Sequence, residues 1–169
     1  LAITFLIVGL SNPQVGTKME EVKREGVDLM IAIDLSYSMM AQDIKPNRLE
    51  RAKQAISRLI DKLEGDRIGL VVFAGEAYVQ LPITTDYSAA KLFLSTVNTS
   101  IIPTQGTKIG NAIDLCSKSF DKENAQSKAI IIITDGETHD EEAIESAKKA
   151  KEEGIYIHTL GMGLTKGGP

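Results

Sequence analysis

The chain has 169 residues, the usual size of one domain, and 43% hydrophobic with 25% charged residues is an ordinary globular composition. The net charge is −4 and no basic stripe runs along the sequence, which argues against nucleic acid as a partner. Cys116 is the single cysteine, so an internal disulfide is excluded. It lies on the apolar face of a predicted helix, and we expect it to be a buried core residue.

The N-terminal residues differ in composition from the rest of the chain. Leu1 to Leu10 is uncharged and apolar, but a helix that spans a bilayer needs about 20 such residues. Because the chain begins with Leu and the apolar run stops at Ser11-Asn12-Pro13, we expect the end of a transmembrane helix in a fragment of a longer protein. A cleaved signal peptide is disfavoured, since neither a basic region nor a small-x-small site is evident. The alternative is an apolar arm that packs on the domain or on a neighbouring molecule.

The rest of the chain alternates between strand and helix patterns. Val27 to Ile33 is apolar without alternation, which is typical of a strand buried on both faces of a parallel sheet. Asn47 and Glu50 form a capping box that starts a helix ending at Gly65. Ala74-Gly75 separates two strand patterns at hairpin spacing, so the second strand is predicted to be an antiparallel edge strand. The predicted strands are 27–33, 67–73, 76–81, 128–134 and 155–160, and the later helices are 88–97, 109–120 and 141–153.

This alternation predicts a doubly wound α/β fold, with a mostly parallel sheet and helices on both faces. The residues after Leu160 have loop composition, and the family resemblance described below implies that one sheet edge and one sheet face are left uncovered. We expect the apolar arm or a second copy of the chain to cover them. The predicted division is an arm and linker over residues 1–26, one domain over residues 27–163 and a loop over residues 164–169.

Oxygen-bearing side chains occur at three predicted loops. Asp34-Leu35-Ser36-Tyr37-Ser38 directly follows the first strand, and Thr134-Asp135-Gly136 ends the strand 128–134. Gly106-Thr107 comes just before the helix 109–120. Ligands bind outside the carboxyl ends of parallel strands, and hard oxygen ligands suit Mg²⁺ or Mn²⁺. On its own, the first run is equally compatible with a polar turn.

The three loops together resemble the von Willebrand factor type A family and its metal-ion-dependent adhesion site, which combines Asp-x-Ser-x-Ser with a distant Thr and a distant Asp. The resemblance covers roughly Val27 to Gly163. It implies that three hydroxyls coordinate the metal and that two carboxylates bind it directly or through water; the implied set is Asp34, Ser36, Ser38, Thr107 and Asp135. Type A domains usually carry one more strand and a final helix, which this chain is expected to lack.

Three further segments, 43–52, 65–77 and 82–87, resemble the bacterial aerotolerance (Bat) proteins within that family. This resemblance implies a domain anchored to the bacterial inner membrane, on its periplasmic side, in a complex linked to aerotolerance or stress. Tyr37 departs from the relatives, which often have Gly at this position. A large aromatic here is expected to narrow the rim of the site or to contribute to a contact surface.

The expected function is therefore protein binding through Mg²⁺ or Mn²⁺, with a partner protein supplying a carboxylate, and not catalysis. The metal is expected to bind weakly without that carboxylate. The alternative is a doubly wound phosphotransfer or metal-assisted hydrolase domain. A receiver would need an acidic pair before its phosphorylated Asp, and a nucleotide enzyme a Gly-rich loop; neither occurs here. Hydrolysis would need a base, but we expect His139 to be exposed beside the site and His158 to lie in the last strand without a ligand role.

Two expectations concern stability. We expect Asp34 to lie at a solvent-facing site, so that its removal affects binding more than folding. We expect Ile131 to be fully buried in a central strand, so that truncating it to Ala removes about 2–5 kcal/mol of stability.

Overall fold

The computed structural model describes residues 26–121, 123–136 and 141–163. They form one five-stranded sheet with the strand order β3-β2-β1-β4-β5. Strands β1, β2, β4 and β5 are parallel, and β3 pairs with β2 in the antiparallel sense at one edge. The elements are β1 (Val27–Asp34), α1 (Arg48–Ile60), β2 (Arg67–Phe73), β3 (Ala77–Thr84), α2 (Tyr87–Thr96), α3 (Ile109–Ser119), β4 (Ser127–Thr134), α4 (Glu141–Glu152) and β5 (Ile155–Gly161), with short 3₁₀ turns at Tyr37–Met40 and Thr99–Ile101.

Helices cover both faces of the sheet, as the sequence predicts. Alternate side chains of β1 enter two separate cores. On one face Ile31 belongs to the core that includes residues of α1 and α2. On the other face Met30 belongs to the core that includes Cys116 of α3 and Ala150 of α4. The doubly wound α/β fold with an antiparallel edge strand is thus confirmed.

The start of α1 follows from its capping residue. The Asn47 side-chain oxygen accepts a hydrogen bond from the Glu50 backbone N–H at 2.8 Å, which satisfies one of the donors that a helix start leaves without an intrahelical partner. Ala52, Ile56 and Ile60 then recur every four residues and pack onto the sheet. Arg48 lies four residues before Ala52 on the same stripe, so the helix begins with an arginine on its buried face.

Strand β4 corrects one expectation. Ile130 and Ile132 are buried, but Ile131 between them is only partly buried, so it does not lie in a fully enclosed core. Its side of the strand lines an apolar groove of about 240 Å³ together with Leu59 and Leu160. Within the described part of the chain, α1 forms one side of this groove, no helix follows β5, and no strand pairs with the outer edge of β5. The expected lack of a final strand and helix, with an uncovered edge and face, is therefore confirmed for these residues.

Other expectations fall partly outside the described residues. Leu1 to Leu10, the linker up to residue 25 and the loop 164–169 lie outside them, so the domain boundaries stay predictions. Among the residues that are described, no helix has the length and apolar composition needed to cross a bilayer. Cys116 is buried, as expected, and burial raises the pKa of its thiol to about 12.

Candidate functional site

The candidate site lies where the winding of the sheet changes direction. Helix α1 connects β1 to β2 over one face, whereas α4 connects β4 to β5 over the other. Because β1 and β4 are neighbours, the loops at their carboxyl ends diverge and leave a crevice between them. Asp34 ends β1, and Thr134 and Asp135 mark the end of β4. The sheet topology therefore brings the first and last predicted ligand loops together.

The Asp34 carboxylate joins these two loops. One oxygen, Oδ1, accepts the Ser36 backbone N–H at 2.8 Å, and the other, Oδ2, accepts the Thr134 hydroxyl at 2.6 Å. Asp34 is fully buried, so the expectation of a solvent-facing carboxylate is wrong. The neighbouring strand β4 lies beside this carboxylate, and its last residue, Thr134, donates a hydrogen bond to it. Burial raises the pKa of the Asp34 carboxyl, and the hydrogen bonds from Thr134 and Ser36 oppose that rise.

The two serines of the first loop converge. The Oγ atoms of Ser36 and Ser38 lie 2.9 Å apart. A 3₁₀ turn follows Ser36, and its first hydrogen bond runs from the Met39 N–H to the Ser36 carbonyl at 3.0 Å. This turn folds the backbone so that hydroxyls two residues apart face each other, beside the fixed Asp34 carboxylate.

Two backbone hydrogen bonds join the loop that carries Thr107 to the turn between β2 and β3. The Gly75 N–H donates to the Thr104 carbonyl at 2.9 Å, and the Lys108 N–H donates to the Ala74 carbonyl at 2.8 Å. Thr107 lies partly buried between these two anchor points. The third predicted ligand loop is thereby held at the same carboxyl edge of the sheet, since β2 also ends there.

This loop also contacts the first one. The Tyr37 N–H donates to Gln105 Oε1 at 3.2 Å, which joins the two loops across the rim of the site. Gly75 permits the close approach of residues 104 and 105 to the turn between β2 and β3, because a Cβ there would stand 2.6 Å from the Gln105 carbonyl oxygen. The Tyr37 side chain is 68% exposed, and Met40, three residues on, is exposed as well. This placement agrees with a contribution of Tyr37 to a contact surface.

Asp135 is held by Arg48, a residue that the sequence reasoning missed. Arg48 Nη1 donates to Asp135 Oδ2 at 2.9 Å and to the Ser38 carbonyl at 3.4 Å. Its Nε and Nη2 donate to Asp43 Oδ1 and Oδ2 at 2.9 and 3.1 Å. The signal was present in the sequence: an arginine on the apolar stripe of a helix is buried only when carboxylates pair with it.

The oxygen ligands fit a hard divalent cation. They are hydroxyls and carboxylates, which suit Mg²⁺ or Mn²⁺ better than soft metals. No cluster of three or more His, Cys, Asp or Glu occurs among the described residues, so the cation would depend on the serine and threonine hydroxyls. His139 lies outside the described part of the chain. His158 is exposed on β5 and lines the apolar groove rather than this crevice.

The fold and this geometry define an α/β domain with oxygen ligands gathered at the switch point of its sheet. The sequence profile of the von Willebrand factor type A domain matches residues 29–137, which include all three loops. The chain therefore belongs to the von Willebrand factor type A domain family.

Solved structures narrow the resemblance. BatB from Bacteroides thetaiotaomicron is 52% identical, with a TM-score of 0.83, over 85% of this chain and 70% of that chain. An aerotolerance-related membrane protein from Bacteroides fragilis is 50% identical, with a TM-score of 0.81, over 85% of this chain and 71% of that chain. The expected similarity to the bacterial aerotolerance proteins is confirmed.

More distant matches share the fold alone. Proximal thread matrix protein 1 of the mussel byssus, in a structure with a zinc-occupied MIDAS motif, is 22% identical with a TM-score of 0.69, over 83% of this chain and 37% of that chain. The chain spans about half the length of the curated relatives it matches, 49% of one from Borreliella burgdorferi and 53% of one from Mycolicibacterium paratuberculosis.

Proposed function

We propose that this domain binds a partner protein through a divalent cation. Ser36, Ser38 and Thr107 would coordinate Mg²⁺ or Mn²⁺ directly, and Asp34 and Asp135 would bind it directly or through water. The observation that carries the proposal is the pair of serine Oγ atoms 2.9 Å apart beside a carboxylate fixed from two sides.

The chemistry of this ligand set favours binding over catalysis. Three of the five groups are neutral hydroxyls, so where Asp34 and Asp135 bind through water the groups in direct contact with the cation would leave its charge only partly neutralised. The cation would supply a coordination position for a carboxylate from outside, which makes a strong and directional contact when both charges are partly desolvated. The zinc-occupied MIDAS motif of the distant mussel protein supports the idea that this fold holds a cation at such a motif.

The exposed side chains beside the site suit a protein partner. Tyr37 and Met40 lie three residues apart on a 3₁₀ turn, where residues at this spacing share a face. Both would flank a carboxylate that approaches the cation. An aromatic ring and a methionine are residue types enriched at protein interfaces.

Calorimetric titration tests the cation site. Mg²⁺ should bind the wild-type chain, and the double variant Ser36→Ala, Ser38→Ala should show no measurable binding. The matched control is Ser119→Ala, Ser127→Ala, which removes two hydroxyls from the opposite end of the sheet, where α3 ends and β4 begins. Equal Mg²⁺ binding by the wild type and the Ser36, Ser38 variant would refute the site.

A second measurement tests the carboxylate. Mn²⁺ bound to the protein should enhance the relaxation of water protons, and acetate should reduce this enhancement as it displaces bound water. Sodium chloride at the same ionic strength is the control. An enhancement that acetate and chloride change equally would contradict carboxylate binding at the cation.

The setting of the longer protein is part of the same proposal. Leu1 to Leu10 would end a transmembrane helix that holds the domain near a bacterial inner membrane, on the periplasmic side, in a complex linked to aerotolerance. The similarity to a membrane protein described as aerotolerance-related supports this setting. Fractionation of cells that express the longer protein, followed by protease accessibility of the domain in spheroplasts, tests both location and side.

Self-association of this chain is proposed from the apolar groove beside β5. The groove is an apolar surface and Leu1 to Leu10 is an apolar sequence, so each would gain from covering the other, in one molecule or between two. Light scattering across a dilution series, with and without residues 1–12, measures this. A chain that stays monomeric at every concentration would refute association between molecules.

A further inference from the structure

Two Arg–Asp pairs of the same design lie at opposite ends of the sheet. At the amino end, Arg67 of β2 donates from Nε and Nη2 to the two oxygens of Asp28 of β1, at 2.7 and 2.6 Å. At the carboxyl end, Arg48 donates from the same two nitrogens to the two oxygens of Asp43. Such two-point contacts fix the plane of the guanidinium group.

The carboxyl-end pair does something that the amino-end pair does not. Arg48 Nη1 reaches across to Asp135 Oδ2 and to the Ser38 carbonyl, so one nitrogen contacts two of the three candidate ligand loops. The side chains of Arg48, Asp43 and Asp135 are only 9%, 2% and 1% exposed. Water therefore competes little for these hydrogen bonds, and the hydrogen bond from Arg48 constrains the orientation of Asp135.

The charges at this pair favour an orienting role. A bare arginine beside the site would repel a divalent cation. The Asp43 carboxylate offsets that charge at hydrogen-bond distance, so the pair adds little net positive charge to the crevice. What remains is its geometry, a rigid fork that sets the position of Asp135 relative to Ser38.

We infer that Arg48, held by Asp43, is a positioning residue of the cation site, and that it sets divalent-cation affinity through Asp135 and the Ser38 backbone. The inference rests on the proposed function, because it assumes that the site takes Mg²⁺ or Mn²⁺. Residues that orient metal ligands in this indirect way change metal affinity about 10- to 100-fold when they are replaced.

The competing explanation is that the pair only stabilises the fold, and the amino-end pair is its matched control. Arg48→Lys keeps the charge but loses the fork, and Arg67→Lys makes the same change far from the site. Both variants should have a lower Tm. Only Arg48→Lys should raise the Kd for Mg²⁺ in calorimetric titration, by about tenfold or more.

A second pair of variants covers the case in which Arg48→Lys does not fold. Asp43→Asn keeps the shape of the side chain but removes the charge that offsets Arg48, and Asp28→Asn is its control. Asp43→Asn should also weaken Mg²⁺ binding by about tenfold, since the guanidinium group loses one of the two acceptors that fix its plane and less of its charge is offset near the cation. In the unmodified chain, Mg²⁺ should shift the Nε–Hε nuclear magnetic resonance signal of Arg48 and leave that of Arg67 in place.

The outcomes separate the two proposals. If the wild type binds Mg²⁺ and the Arg48 and Asp43 variants bind it equally well, the positioning role is refuted and the proposed function stands. If the wild type binds neither Mg²⁺ nor Mn²⁺, both are refuted. A raised Kd in the carboxyl-end variants, with unchanged Kd in the amino-end controls, supports the positioning role.

Discussion

The apolar interior of β1 and the carboxylate at the end of this strand are buried to the same degree but are held by different forces. Met30, Ile31 and Ile33 are fully buried apolar side chains that pack into the two cores. Asp34, the next residue, is also fully buried, yet hydrogen bonds from Ser36 and Thr134 hold it in place. Burial makes this carboxylate rigid, and the less enclosed hydroxyl of Ser38 lies beside it. The residues that stabilise the core and the residues of the candidate cation site thus lie only a few positions apart along the chain.

The largest effect should come from the interior. We expect Ile132→Ala in β4 to lower the free energy of unfolding by about 2–5 kcal/mol, because Ile132 is buried against α3 and α4. The neighbouring Ile131→Ala makes the same chemical change on the side that lines the groove, and it should cost less, about 1–2 kcal/mol. Urea unfolding measures both, and Mg²⁺ binding should be unchanged in each. If the two variants lost equal stability, the assignment of strand faces would be wrong.

Asp34→Ala should lower both the stability of the fold and the affinity for Mg²⁺. It leaves the Ser36 N–H and the Thr134 hydroxyl without their acceptor in a buried place, which costs about 1–3 kcal/mol. It should also abolish Mg²⁺ binding. Asp34→Asn is the matched control, because it keeps the side-chain shape and one acceptor; its stability should lie nearer to the wild type while Mg²⁺ binding is still weakened. A melting temperature of Asp34→Ala equal to that of the wild type would contradict the structural part of this prediction.

The serine hydroxyls should matter least for folding. Ser36 is buried, but its hydroxyl bonds to that of the partly exposed Ser38, so replacing both with Ala should change the free energy of unfolding by less than about 1 kcal/mol. The loss of Mg²⁺ binding should nevertheless be complete. Thermal melts in the presence of chelator give the comparison with Asp34→Ala. A double serine variant less stable than Asp34→Ala would mean that the hydroxyls, and not the carboxylate, hold the loop.

The sequence predicted the fold well because its signals are local. The unbroken apolar run of β1, the Asn47 cap and the hairpin spacing at Ala74-Gly75 each determine an element within a few residues, and alternation of strands and helices leaves few ways to connect them. The three loops of the site were predictable for the same reason, since parallel strands and the topology place their carboxyl ends together. Those predictions needed no knowledge of distances.

The errors arose where burial depends on distant neighbours. The apolar run of β4 predicts that Ile131 is a core residue, but the exposure of Ile131 depends on what covers the face of the sheet beside β5. The sequence pattern predicts that Asp34 is an exposed loop residue, but Thr134, 100 positions later, donates a hydrogen bond to it and helps to bury it. Arg48 could have been found as a charged residue on an apolar helix stripe, although its partner Asp135 lies 87 positions away. Local pattern shows that such a residue needs a partner and does not identify it.

The smallest expected effect concerns the thiol reactivity of Cys116, a residue of the buried interior and not of the site loops. Burial in the core formed with α3 and α4 raises the pKa of its thiol to about 12, above the ordinary value of 9.0. At pH 8 only roughly one thiol in ten thousand is then the reactive thiolate. Because the folded protein favours the protonated thiol, this group leaves stability unchanged below about pH 9 and lowers it progressively as the pH rises toward 12. We expect no alkylation by iodoacetamide at pH 8 in the native protein, and complete alkylation in guanidinium chloride, measured by intact mass. Rapid labelling of the native chain, without Mg²⁺ or with it, would show that Cys116 is not buried between α3 and the sheet as the structure describes.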